Sequence, residues 1–150
     1  MCSSDLVITG FPGETDEQFM DTHDFLENLD ISYIHAFTYS ERENTPASTM
    51  PDAVPVSIRR ERSNLLRELS ANKKERHYRN HIGQTRSVLF EQGPNEKLIS
   101  GFTDNYIRIL MDANPGLINP IQEIKLESAT SLKGELFIRS ESIRTVPSFV

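Results

Sequence analysis

The chain has 150 residues, 37% of them apolar and 25% charged, with a formal net charge of −6. That balance fits one soluble folded domain or two small ones and excludes a disordered chain. A single cysteine, Cys2, excludes a disulfide framework and a multi-cysteine metal site, and fits a reducing cytoplasm. No apolar run reaches the roughly 18 residues of a membrane span, and the first residues lack the basic and apolar character of a secretory signal.

Residues 5–9 form an apolar, β-rich run that ends at Gly10. Thr15-Asp16-Glu17-Gln18 has the form of a capping box, and its acidic first turn suits the helix dipole. Phe19, Phe25, Leu26 and Leu29 follow at helical spacing, so roughly residues 16–29 are expected to be an amphipathic helix. Tyr33 to Tyr39 reads as a second strand. Strand, helix and strand joined by short loops make one βαβ unit, which requires parallel strands. Two parallel strands cannot cover both their faces. The front third is therefore expected to be completed by another chain, or to be part of a larger α/β domain.

Residues 40–55 are polar and carry Pro46, Pro51 and Pro55, a loop or linker composition. From Val56 to about His77 the pattern is helical, with Ile58, Leu65, Leu66 and Leu69 on one side and arginines and lysines around them. After Gly83 the period changes to two. Five short strands are expected, near residues 87–91, 97–100, 106–110, 121–126 and 134–138. Turn signals separate them, among them Ser131 to Gly134. Five short strands in about 70 residues suit a small closed or nearly closed β-barrel, a shape that often binds oligonucleotides.

Charge divides the chain in the same places. Residues 1–55 hold eleven acidic side chains and one basic one, Arg42; residues 56–81 hold eight basic and three acidic; residues 82–150 hold seven basic and eight acidic. The basic middle is the electrostatic candidate for a polyanion, against the plainer reading of a solvated helix face. The expected domains are 1–55, 56–81 and 82–150.

Several stretches carry a resemblance. Asp5 through Thr15 (Asp-Leu-Val-Ile-Thr-Gly-Phe-Pro-Gly-Glu-Thr) resembles the barrel of radical S-adenosylmethionine enzymes of the MiaB-like methylthiotransferase group. Tyr39-Ser40-Glu41-Arg42-Glu43-Asn44-Thr45-Pro46-Ala47 is similar to that group's Tyr-Ser-x-Arg-x-x-Thr-x-Ala loop. Val54-Pro55 with Arg59-Arg60-Glu61-Arg62-Ser63 and Leu66-Arg67-Glu68-Leu69 resembles its post-barrel helix. Gly83-Gln84-Thr85, Val88-Leu89-Phe90-Glu91 and Gly101-Phe102-Thr103-Asp104-Asn105-Tyr106 resemble its TRAM domain. These stretches stand in the family's order and span nearly the whole chain. Glu41, Glu43 and Asn44 depart from the commoner Pro, Pro and Gly of the second loop.

The resemblance implies a fold that is α/β and then β: the terminal βαβ part of a radical SAM (partial TIM) barrel, a linker helix and a five-stranded TRAM barrel. It implies the C-terminal part of a tRNA methylthiotransferase, cut within its barrel. Within the group the chain is most similar to the MtaB branch, which modifies threonylcarbamoyladenosine at position 37 of tRNA. The sibling branches act on isopentenyladenosine in tRNA or on a ribosomal protein. The implied cofactors are S-adenosylmethionine and two 4Fe-4S clusters. With Cys2 alone neither cluster can be built here, so the chain by itself is expected to be inactive and to contribute no catalytic and no metal-ligating residue. The expected partners are tRNA and the missing N-terminal part of the enzyme, with no DNA and no membrane. The rival reading is a free-standing RNA-binding module or the second chain of a split enzyme.

Site residues follow from combining motif and chemistry. Gly10, Pro12, Gly13 and Glu14 are candidates for cofactor contact, with N–H groups at the helix start receiving a carboxylate; the alternative is a plain strand-to-helix turn. Arg42 is a candidate for a cofactor carboxylate or a tRNA phosphate, the alternative being pairing with the surrounding acids. Tyr39 and Thr45 accompany it. Arg59, Arg60, Lys73, Lys74, Arg76 and Arg79 are candidate phosphate contacts. Asn105, Tyr106 and Arg108 are candidate RNA contacts on the barrel, against a core tyrosine with Ile107 facing out. His35 reads as a buried or half-buried structural histidine. His77 and His81 are four apart and lack a third metal ligand, so they read as part of the basic linker.

Overall fold

The computed structural model describes residues 4–132, 134–140 and 143–144. The chain forms two compact units, divided between Lys74 and Glu75.

The front unit opens with β1 (Ser4–Thr9), α1 (Asp16–Asn28) and β2 (Tyr33–Thr38). β1 and β2 pair in parallel, from Ser4 opposite Tyr33 to Thr9 opposite Thr38. The capping box forms: the Gln18 N–H donates to the Thr15 hydroxyl at 3.2 Å, and the Thr15 N–H donates to the Gln18 side chain at 3.1 Å. A 3-10 turn at Pro46–Thr49 interrupts the proline-rich loop. α2 (Val56–Asn80) follows, and its first 19 residues belong to this unit. Phe19, Leu26, Ile34, Ala36, Leu66 and Leu69 form the core, with Val7 and Ile31 against it. The inward face of the sheet carries Val7, Ile34 and Ala36. On its other face Leu6, Ile8 and Phe37 are 65%, 54% and 50% exposed. The expectation of a one-sided parallel pair is met in that face.

The buried stripe of α2 differs from the sequence expectation. Leu66 and Leu69 are buried, but Leu65 is exposed and Ile58 half-buried. Arg59, Arg62 and Lys73 are buried instead. Positions 59, 62, 66, 69 and 73 repeat at three and four residues, the spacing of one helical face. The stripe has leucines at its centre and cations at both ends.

The rear unit is built on β3 (Thr85–Asn95), β4 (Leu98–Thr103), β5 (Arg108–Asp112), β6 (Ile121–Lys125), β7 (Ser128–Leu132), β8 (Glu135–Arg139) and β9 (Ile143–Arg144). They make one sheet in the order β7-β8-β5-β4-β3-β6-β9. All its pairs are antiparallel except β5 with β8. That is seven strands among the described residues where five are expected. β7 was hidden because its Ser-Ala-Thr-Ser-Leu sequence reads as a turn; at the end of the sheet order, half-buried, it needs little apolar alternation. Tyr106 and Ile107, expected to begin a strand, lie instead in the turn before β5. The core gathers Val88, Phe90, Ile99, Ile107, Ile109, Met111, Ile124, Leu126 and Ile138, with Tyr78 from the end of α2. Gly101 lets β4 approach β3: a β-carbon there would lie 2.3 Å from the Leu89 carbonyl oxygen.

Candidate cofactor and nucleic-acid sites

In the front unit the loops after β1 and β2 are tied to α2 by its two buried arginines. Gly10 has a φ of +80°, and a β-carbon on it would lie 2.3 Å from Arg59 Cγ. Only glycine fits that left-handed, crowded position. The Gly10 N–H donates to Glu14 Oε2 at 2.8 Å. Glu14 is in turn ion-paired with Arg62, whose Nη1 also donates to the Glu14 carbonyl at 3.2 Å and whose Nη2 reaches Asp16 at 2.6 Å. Burial opposes the charge on Arg62, but pairing with Asp16 and Glu14 outweighs it and holds the guanidinium above its ordinary range. The Gly13 N–H donates to the Asp52 carbonyl at 2.9 Å. Pro12 is buried. The N–H groups of Gly10 and Gly13 therefore already have acceptors within the chain.

Arg59 draws in the second loop. Its Nε donates to the Val54 carbonyl at 2.6 Å, Nη1 to the Tyr39 carbonyl at 3.2 Å, and Nη2 pairs with Glu41 at 2.5 Å. The Glu41 hydrogen bond raises its pKa, and the same bond lowers that of Glu41. At the other end of the stripe, Lys73 Nζ donates to the carbonyls of Glu27 and Leu29 at 3.0 and 2.9 Å. α1 has no basic residue in its own last turn, so Lys73 supplies the positive charge its C-terminus favours. Arg59 and Lys73, named from sequence as phosphate contacts, thus have their head groups turned to backbone carbonyls of their own unit.

Above the open face of β1 and β2 lies a groove of about 560 Å³, lined by Leu6, Ile8, Phe37, Tyr39, Arg42 and Thr45 among others. Arg42 is exposed and, among the described residues, makes no ion pair. Glu41 pairs with Arg59 instead. The Tyr39 hydroxyl is buried and has no hydrogen-bond partner among the described residues, while its ring packs edge-on against Phe11 at 5.3 Å. Thr45 Oγ1 donates to the Arg42 carbonyl at 2.8 Å, which fixes the loop locally. His35, expected to be at least half-buried, is exposed, its ring edge-on to Tyr33 at 4.9 Å.

Along the rest of α2, Arg60, Arg76 and Arg79 are exposed and Lys74 half-buried. Arg79 is paired with Glu75 at 2.7 Å. His77 and His81 lie with ring centroids 4.5 Å apart. Burial, and then His81, push the His77 pKa down.

In the rear unit the turn from Thr103 to Ile107 is held on every side. The Ile107 N–H donates to Thr103 Oγ1 at 2.9 Å, the Thr103 N–H to the Ile107 carbonyl at 3.0 Å, and the Asp104 N–H to the Ser87 carbonyl at 3.2 Å. Asn105 is buried, with Thr103 Oγ1 donating to its Oδ1 at 2.6 Å. The Arg108 N–H donates to the Tyr78 hydroxyl at 3.0 Å. Tyr106 stands out from this frame, 67% exposed with a φ of +62°, and Ile107 is fully buried. The alternation left open by the sequence is settled with the tyrosine outside. Arg108 pairs with Glu135, and its guanidinium lies over the rings of Phe137 and Phe102, at 4.8 and 5.7 Å from their centroids. Phe102 was missed from sequence. Its place between buried Gly101 and Thr103 on an alternating strand is the signal that puts it outside.

No described helix is long and apolar enough to cross a membrane. No protein-family model matches the chain. Among curated proteins it is 32% identical over 127 residues to the threonylcarbamoyladenosine tRNA methylthiotransferase MtaB of Bacillus subtilis, covering 82% of this chain and 28% of that protein. It is 40% identical over 106 residues to the protein of the same name from Rickettsia prowazekii, covering 71% of this chain and 24% of that one. It is 36% identical over 145 residues to the tRNA-2-methylthio-N(6)-dimethylallyladenosine synthase of Pseudoalteromonas atlantica, covering 93% of this chain and 30% of that protein. The chain therefore spans about a quarter to a third of the length of these relatives. With similarity at this level running through both the front loops and the rear strands, the chain belongs to the MiaB-like family of tRNA methylthiotransferases.

Proposed function

We propose that the chain is the C-terminal part of a radical S-adenosylmethionine methylthiotransferase that modifies adenosine 37 of tRNA, its front unit bordering the cofactor and its rear unit, a TRAM domain, holding the tRNA. The single observation that carries this is the 36% identity to a tRNA-modifying enzyme across 93% of the chain. MtaB proteins of Bacillus and Rickettsia support threonylcarbamoyladenosine as the substrate nucleoside. The domains on this reading are 1–55, 56–81 and 82–150.

The two cofactor types fare differently against these residues. A cluster held by three cysteines finds one thiol in 150 residues, so the donor set does not fit and no step is assigned to it here. S-adenosylmethionine fits better, because the groove over β1 and β2 joins an apolar floor to the cation of Arg42. In that role Arg42 receives the methionyl carboxylate or a tRNA phosphate and Tyr39 and Thr45 border the bound molecule, while Gly10, Pro12, Gly13 and Glu14 form the adjoining loop after β1 and do not line the groove. Bound there, the cofactor supplies the methyl group and, when reductively cleaved, the radical. The exposed cations Arg60, Arg76 and Arg79, with Lys74, offer phosphate contacts. Isothermal titration of the chain with S-adenosylmethionine tests the front assignment: R42Q is expected to weaken the heat signal, and equal binding by R42Q would remove Arg42 from the site.

A further inference from the structure

Tyr106 is a bulky residue held at a left-handed φ, a conformation that costs an L-residue free energy and that glycine or asparagine would adopt with less strain. Hydrogen bonds within the surrounding turn and to Tyr78 keep it there, and the ring they hold out is 67% exposed. Strain kept up by its surroundings, with no packing gained in return, is a mark of function.

Tyr106 stands in the turn between β4 and β5, and the register of these strands with their neighbours carries a row of outward side chains. Ile121 stands opposite Leu89, Leu89 opposite Phe102, and Phe102 opposite Arg108. Their neighbours Val88, Phe90, Gly101, Thr103 and Ile109 point inward. Ile121, Leu89 and Phe102 are 68%, 47% and 47% exposed, so a row one side chain wide crosses four strands and ends at the Arg108 guanidinium. Asp104, Glu123 and Glu135 along its sides are taken up by Arg86, Ser87 and Arg108.

We propose that this row, with Tyr106 at its end, takes unpaired nucleobases of the RNA by stacking, so that the rear unit grips a single-stranded segment and not a duplex. The inference rests on the reading of the rear unit as an RNA-holding domain and names what that domain recognises. Base edges and phosphates of a duplex offer nothing to a narrow apolar row. Splayed bases offer a flat face to each ring, and the Arg108 guanidinium, already lying over two rings, extends the stacking surface. Buried Asn105 is then a positioning residue that fixes the turn, not an RNA contact.

The test measures binding of unmodified tRNA, a twelve-nucleotide single-stranded RNA and a blunt RNA duplex to the whole chain, with Y106G and F102S beside the parent. Glycine suits the turn's φ, so Y106G is expected to keep or raise the thermal midpoint. The single strand is expected to compete with tRNA and the duplex not to. Each variant is expected to lose about tenfold in affinity for tRNA and for the single strand, at both low and high salt. Unchanged tRNA affinity in both variants would overturn the row while leaving the RNA-holding domain in place. Absence of tRNA binding by the parent would overturn both.

Discussion

Arg62→Leu is the most informative single change in the front unit. Leucine keeps an apolar stem in the stripe of α2 but removes the cation that meets Glu14 and Asp16. The Arg62 side chain is 6% exposed, Glu14 18% and Asp16 92%. The Asp16 arm is thus close to a surface pair, worth under about 1 kcal/mol. The Glu14 arm approaches a buried pair, whose one-sided removal costs about 3–5 kcal/mol when fully enclosed. Glu14 is partly open and keeps its bond from Gly10, so a loss of about 2–3 kcal/mol is expected for R62L. E14Q, which leaves an amide oxygen for Gly10, is expected to lose less. The double variant is expected to be no worse than R62L alone, because the uncompensated carboxylate is gone. Urea unfolding followed by circular dichroism at 222 nm reads all three. Additive losses in the double variant would mean that Arg62 and Glu14 act separately and that no coupled pair exists.

Other perturbations follow the same logic. Gly10→Ala forces an L-residue to positive φ and places its methyl against Arg59, so a loss of more than about 1–2 kcal/mol is expected in the same unfolding assay. Thr15→Ala removes the capping box and is expected to cost about 1 kcal/mol, with Thr15→Asn nearly neutral. His77 is held below its ordinary pKa, so the unfolded chain binds more protons as pH falls below about 6.5. Stability of the rear unit is expected to be full above that pH and to fall toward pH 5, and His77→Gln is expected to flatten the thermal midpoint's pH dependence.

The front unit was legible where sequence signals are local. The capping box, the turn at Gly10 and the parallel pair each depend on neighbouring residues or on a short connection, and each stands as read. The buried stripe of α2 was not legible, because polarity assigns arginine and lysine to water. Arg59, Arg62 and Lys73 are buried because loop carbonyls and the carboxylates of Glu14, Asp16 and Glu41 await them from far along the chain. The one hint was the acidic excess of residues 1–55, which has to find cations somewhere. In the rear unit alternation located the central strands but not β7, whose half-buried serines and threonines carry no period-two apolar signal. Tyr106 was legible as a candidate, but its exposure depended on a turn held by Thr103 and Tyr78.

Retention of unmodified tRNA by the 150-residue chain across a salt series reads RNA holding directly. With Arg59 and Lys73 turned inward, the α2 candidates left exposed are Arg60, Arg76 and Arg79, with Lys74 half-buried. Binding is expected at about 50 mM salt, falling with a log–log slope of about −2 to −3, corresponding to about three phosphates. No retention of tRNA at about 50 mM salt would contradict an RNA-holding role for the chain.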